Sequence, residues 1–200
     1  MKYLIASFLF FYQLLVACNG CDNGVYEYGV SEEEQELIVK IHNDLRLKLA
    51  HGEVEGQPKA INLKRISWDS YLAGKAQDNA NTCDYHHDTV EDARFQVGQN
   101  IAEVTEFGYV QGANWTDAIL LWWSEHLLYH YPDSTDDETG HYTQVAWADT
   151  YLVGCGYTQY PIEEGEEDTN LYYVCNYGPS GNWPGQPPYE TGDSGCEDLC

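Results

Sequence analysis

GHYTQVAWADT, Gly140 to Thr150, is the stretch on which the reading of this chain turns. A histidine beside an aromatic residue, followed by alternating residues that end in tryptophan, predicts a strand carrying one polar side chain, His141, into an enclosed site. Downstream, YYVCNYGPSGNW (Tyr172 to Trp183) predicts a second strand and a Gly-Pro-Ser-Gly turn, with Asn182 and Trp183 behind it. Val153 to Tyr160 and Leu171 to Tyr177 read as strands of one antiparallel sheet, joined by an exposed hairpin loop over the acidic run Glu163 to Asp168. Upstream, DAILLWWSEHLLYH (117–130) predicts a long helix. Its apolar face is Ile119, Trp122, Trp123 and Leu127, and Glu125 interrupts a run that would otherwise be buried.

Two more helices precede these elements. Ser31 with Glu34 forms a capping box, and Leu37, Ile38, Ile41, Leu45 and Leu49 recur at helical spacing, which predicts an amphipathic helix over 32–50. His42, Asn43 and Arg46 lie near one another across a turn of it, where packing and hydrogen bonding are a better account than catalysis. Trp68, Leu72, Ala73, Ala76 and Ala80 mark a second helix, ending near Cys83, whose small residues permit close packing. Asn114-Trp115-Thr116 is a glycosylation sequon, which places Asn114 at the surface. The Pro/Gly-rich tail from Pro184 reads as a poorly ordered extension pinned by Cys196 and Cys200.

The composition bounds what such a chain does. Its 200 residues, 43% hydrophobic and 14% aromatic, suit one domain with a sizeable core. MKYLIASFLFFYQLLVA sets Lys2 ahead of an apolar run too short to span a bilayer comfortably, so residues 1–20 read as a secretory signal peptide rather than a stable membrane insertion. An uncleaved anchor would show basic residues after the run; a lipoprotein-type processing site at Cys18 is the other alternative. Seven cysteines is an odd count, and cleavage after Cys18 or after Gly20 leaves Cys21, Cys83, Cys155, Cys175, Cys196 and Cys200, enough for three disulfides. A formal charge of −24, from 33 acidic against 9 basic residues, argues against nucleic acid and anionic membranes as partners.

The GHYTQ and YYVCNYGPSGNW segments together resemble the paired signatures of the CAP superfamily of secreted proteins, which includes cysteine-rich secretory, antigen 5 and pathogenesis-related 1 proteins. His42-Asn43-Asp44-Leu45-Arg46 is similar to the family's HNxxR segment, and Gln96 to Ala102 to its GENI segment, with Gln99 where most relatives carry Glu. The resemblance covers residues 31–183 and implies an α+β fold, a three-layer α-β-α sandwich around a central antiparallel sheet. Residues 21–30 then form an N-terminal lead and 184–200 a C-terminal extension. The resemblance implies that Cys83 reaches Cys21, as in antigen 5 proteins. Cys155 and Cys175 sit on neighbouring expected strands, and Cys196 and Cys200 are left to pair locally.

CAP proteins place two histidines and two acidic residues in a central cleft. The resemblance carries these onto His141, onto His87 four residues after Cys83, onto Glu125 of Trp122-Trp123-Ser124-Glu125, and onto Gln99. His86 is the competitor of His87 and is expected to face solvent. His87, Glu125 and His141 could hold Zn2+ or another divalent cation with an open position, although the amide of Gln99 is a poor zinc ligand; the competing account is a buried hydrogen-bonded network. No cofactor is required on this reading. Ser124 and Thr143 are the nearby hydroxyls, and neither sits in a nucleophile motif, so a metal-dependent hydrolase ranks last.

The family also implies lipid carriage. A sterol loop corresponds here to Tyr129, Tyr131 and Tyr142, and the walls of a fatty-acid channel to Leu37, Ile41 and Leu45 on the first helix with Ile119, Leu120 and Trp123 on the third. The expectation is an extracellular, venom allergen-like binder of sterol or fatty acid. The alternative is an interaction protein that engages a host or immune protein through its surface and needs no ligand.

Overall fold

The computed structural model describes residues 21, 24–133, 136, 138–163, 167–195 and 199. The expected signal peptide and its Cys18, the Cys196 and Cys200 pair, and parts of the acidic runs at 133–138 and 163–168 lie outside the described residues. The chain folds as expected into helices on both faces of a mostly antiparallel sheet.

Helix α1 spans Glu32–His51. Ser31 caps it: the hydroxyl accepts from the Glu34 N–H, and the Glu34 carboxylate accepts the Ser31 N–H at 2.7 Å. Gly52 ends it in the left-handed conformation at φ 73°, where a side chain would be strained. Helix α2 runs Ser70–Ala80 behind an Asp69 cap, and α3 runs Trp115–Ser124 behind an Asn114 cap, continued by a 3-10 turn over Glu125–Leu127. The apolar face expected of α3 is largely inside, but Leu127 is 66% exposed, because the 3-10 turn rotates it away from the core.

Strands β1 (Glu27–Tyr28), β2 (Ser67–Trp68), β3 (Gly98–Phe107), β4 (Leu152–Pro161) and β5 (Asp168–Gly178) form one sheet ordered β1-β4-β5-β3, with β2 joining β4 in parallel. Trp68 therefore belongs to a strand rather than to the second helix. On β5, Tyr173, Cys175 and Tyr177 face α1 and α3, while Tyr172 and Val174 face α2, which makes the three layers. Cys155 and Cys175 are register partners across β4 and β5 and are bonded, and Cys21 is bonded to Cys83. Gly154 and Gly156 leave room for α2, since a Cβ on either would run into the helix backbone at Ala73 or Gln77. Gln77 then hooks β4, giving its amide to the Tyr157 carbonyl and accepting the Tyr157 N–H.

Two expectations fail in instructive ways. Gly140–Val145 is a short helix, α4, not a strand. In a run this short and almost wholly buried, alternation does not separate the two periods. The tail from Pro184 packs onto the body: Tyr189 is 2% exposed, and Thr191 bridges Ala60.

The polar trio of α1 does the packing work expected of it. Arg46 is solvent-excluded and donates to five carbonyls, those of Lys64, Val145, Trp147, Ala148 and Thr150. Asn43 exchanges hydrogen bonds with both backbone groups of Ile66, each at 2.8 Å. His42 donates from Nδ1 to the Ile38 carbonyl and accepts the Tyr177 hydroxyl at Nε2. Burial holds His42 neutral, with its pKa pushed down to about 4, and brings Arg46 down to about 9.

No helix among the described residues is long and apolar enough to cross a membrane.

Replacing Arg46 with Met strands the five carbonyls and is expected to cost about 3 kcal/mol or more, read as a lowered urea midpoint. His42 predicts a pH effect. Its folded pKa of about 4 lies below the unfolded value of 6.5, so the unfolded chain binds the proton first and stability falls as pH drops from 6.5 to 4. That loss, about 3 kcal/mol for His42 alone, should flatten in a His42→Gln variant followed by pH-dependent denaturation.

Candidate functional site

The site forms along β3, the free edge of the sheet, where Gln99 and Asn100 are consecutive and therefore face opposite sides. On the α3 and α4 side, Glu125 ends α3 and meets the first turn of α4. One carboxylate oxygen accepts the backbone N–H groups of His141 at 2.9 Å and Tyr142 at 3.1 Å; the other accepts the His141 Nδ1–H at 2.6 Å. Thr139, at the N-cap of α4, makes no side-chain cap, so Glu125 supplies the anion that the helix terminus favours. The carboxylate that interrupts the apolar face of α3 is thus the cap of the next helix. His141 also lies against the Trp122 ring at 6.2 Å, and its carbonyl accepts from Asn100 Nδ2 at 3.1 Å. Trp122 is fixed in turn by its indole N–H on the Ile101 carbonyl.

On the α2 side, His87 donates from Nδ1 to Gln99 Oε1 at 3.0 Å. The Gln99 amide nitrogen donates to Asp88 Oδ1 and, at 2.9 Å, to Asn176 Oδ1, its register partner on β5. Asn176 ties this group to α2 through the Leu72 carbonyl. His86 and His87 are both exposed, and His86 has its Nδ1 on the Asp84 carbonyl. Burial first, and then the charges of Glu103 and Glu125, raise the pKa of Tyr85 in the His87 loop.

The four expected cleft residues are therefore linked in pairs, His87 with Gln99 and His141 with Glu125. Among the described residues no hydrogen bond or ion pair joins the pairs, and no group of three or more His, Cys, Asp and Glu is gathered to hold a metal ion. Each imidazole has its Nδ1 tied and, among the described residues, no hydrogen bond at Nε2, the way outer partners orient metal-binding histidines. Glu125, however, is spent on α4 and His141, so the donor set does not fit a closed three-ligand centre. Asp88 and Asn176 were missed by the sequence reading. Asp88 directly follows His87, and Asn176 stands in the VCNY signature, so their positions were the available signal.

The residues expected to meet lipid are mostly packed against one another. Tyr142 is fully buried between Trp123, at 5.0 Å, and Tyr129, at 5.6 Å. Tyr131 stacks on Tyr189 at 5.1 Å. Leu45, Ile119 and Trp123 are in the core, Ile41 is half-buried, and Leu37 and Leu120 face solvent. Asn114 is exposed at the start of α3, with its side chain capping the Asp117 N–H. Ser124 Oγ donates to the Leu121 carbonyl, and the single hydroxyl proton of Thr143 is within reach of both the Thr139 carbonyl and Asn182 Oδ1. Asn182 also donates to the Gly140 carbonyl, which joins the Gly140–Thr150 and Tyr172–Trp183 segments.

Comparison with known proteins places these features in context. Residues 39–177 match the model of the CAP family, described as the cysteine-rich secretory protein family. Venom allergen 5 of Vespula flavopilosa is 40% identical over 185 residues, 86% of this chain and 87% of that protein. Venom allergen-like protein 4 of Schistosoma mansoni superposes with a TM-score of 0.63 at 28% identity, covering 82% of this chain and 97% of the other. The structure of NaASP2 with Zn2+ superposes with a TM-score of 0.67 at 27% identity, covering 85% and 92%.

With Gln99 neutral and Glu125 committed to α4, the wild type is expected to give no heat in a calorimetric zinc titration; heat that grows in Gln99→Glu would show that this position ligates.

Proposed function

The chain belongs to the cysteine-rich secretory protein (CAP) family, and on that premise we propose that it is a secreted, venom allergen-like protein that carries a small hydrophobic ligand, a sterol or a fatty acid, outside the cell. Secretion is supported by the apolar leader over 1–20 and by two disulfides, which persist in oxidising compartments. None of the relatives reported above is named as an enzyme.

One observation carries ligand binding. The indole N–H of Trp115 and the hydroxyl of Tyr157 are shut off from solvent and have no hydrogen-bond partner among the described residues. Their rings meet edge-on at 6.4 Å in the core that also contains Ile38, Leu45, Ile119 and Trp123. A buried polar group left unpaired costs about 1–3 kcal/mol. A carboxylate or hydroxyl head group arriving with an apolar tail would satisfy both, and its tail would run between α1 and α3 along Ile41, Leu45 and Ile119. The aromatic loop of Tyr129, Tyr131 and Tyr142 is the corresponding proposal for a sterol.

A second reading, an interaction protein acting through its surface on a host or immune partner, is favoured by the closed packing of Leu45, Ile119 and Tyr142. In either case Asn114 is the proposed glycan site, at the exposed start of α3.

Labelled palmitate and cholesterol separate the two readings. Trp115→Phe and Tyr157→Phe are each expected to weaken palmitate about tenfold, Ile41→Trp to block it, and Tyr131→Ala to weaken only the sterol. Failure of both lipids to bind at micromolar concentration would leave the surface reading standing.

A further inference from the structure

The C-terminal segment beyond the part of the chain that matches the family crosses the aromatic loop and inserts one ring into it. Tyr189 is solvent-excluded and stacks on Tyr131 with an interplanar angle of 20°. Its hydroxyl donates to Gln57 Oε1 at 3.4 Å and lies 3.5 Å from the Tyr142 hydroxyl, and its carbonyl accepts the Tyr131 hydroxyl at 3.0 Å. A planar ring against an aromatic face, with one hydroxyl that donates to an amide oxygen and can accept from a phenol, is the pattern that a hydroxylated ring ligand would present.

The walls have attachments of their own. Gln57 is held through its amide nitrogen by the His126 and Tyr129 carbonyls, the Tyr129 hydroxyl donates to the Asp133 carbonyl, and Tyr142 packs on Trp123. The segment itself is lightly fixed. Pro188 and Glu190 accept from Ala148 and Ile61, the Glu190 N–H donates to Asn62, and Thr191 bridges Ala60. Only Pro188 and Tyr189 are buried between the exposed stretches 183–187 and 190–195. An open cleft of about 230 Å³ runs beside these bonds, lined by Gln186 to Glu190 with Asn62, Trp147 and Asp149.

We propose that Tyr189 is a built-in occupant of a site for a planar, hydroxyl-bearing apolar ligand of the sterol class, and that the strap from Pro184 to Thr191 lifts to admit it. This rests on the sterol reading above and adds its regulation: the chain holds the site shut until a ligand ring displaces its own. Opening needs one ring withdrawn and a few surface hydrogen bonds broken, a local rather than a global event.

The probe is dehydroergosterol, a fluorescent sterol, added to the full-length protein. Tyr189→Ala is expected to bind about tenfold more tightly than wild type, because the competing closed state is lost. Asn62→Ala, which loosens the strap from the surface and leaves the core intact, is expected to speed association several-fold, so the test survives if Tyr189→Ala fails to fold. Saturating sterol should also accelerate amide hydrogen exchange at Glu190, Ile61 and Ala148, whose N–H groups hold the strap to the body. Sterol binding with unchanged rates in Asn62→Ala and unchanged protection of those amides would overturn the strap while leaving the sterol reading intact. No sterol binding by wild type or either variant would overturn both.

Discussion

A single buried cation organises the half of the molecule that builds the site. Among the described residues Arg46 has no carboxylate partner; its guanidinium is received by main-chain carbonyls of Lys64, of the end of α4 and of the turn that follows it. The flat, multi-donor fork of arginine suits such a ring of acceptors, and a lysine could not span it. Because removing a charge from water is expensive, this arrangement persists only if every carbonyl stays in place. The side chain thereby dictates the path from Val145 to Thr150, and with it the position of α4 and the direction in which His141 leaves it.

Glu125 shows how one group can have a structural reason that a motif hides. Its charge answers three donors at the start of α4, so its value to the fold is evident without any metal. The same hydrogen bonds fix the orientation of His141 and leave Nε2 as the remaining ring nitrogen. Gln99 treats His87 in the same manner. The Gln99 amide orients the His87 ring and is itself held by Asp88 and Asn176.

Much of this was legible in the sequence where local chemistry and tertiary contacts agree. The Ser31/Glu34 box, the period of Ile38, Leu45 and Leu49, and the opposed Cys155 and Cys175 all appear where the residues say they should. The reading failed where tertiary partners decide. Gly140–Val145 is helical because Glu125, from another element, satisfies its amides. β3 went unassigned because the outer half of this edge strand, ending Thr105, Glu106 and Phe107, is exposed and polar enough to pass for a loop. Tyr189 was consigned to a loose tail because neighbouring prolines and glycines mask a ring whose burial depends on Tyr131 and Tyr142.

The two glycines of β4 have a wider effect than letting a helix sit close. With α2 seated on bare backbone and Gln77 hooked over Tyr157, that layer cannot slide along the sheet, and the Cys21–Cys83 bond ties its far end to the lead before α1. His87 rides with this fixed layer through Gln99 and Asn176, whereas His141 rides with α3 and α4 on the other face. The separation of the two imidazoles is thus a vernier between the halves of the sandwich. Any molecule spanning both would report, and resist, a shear of one half over the other.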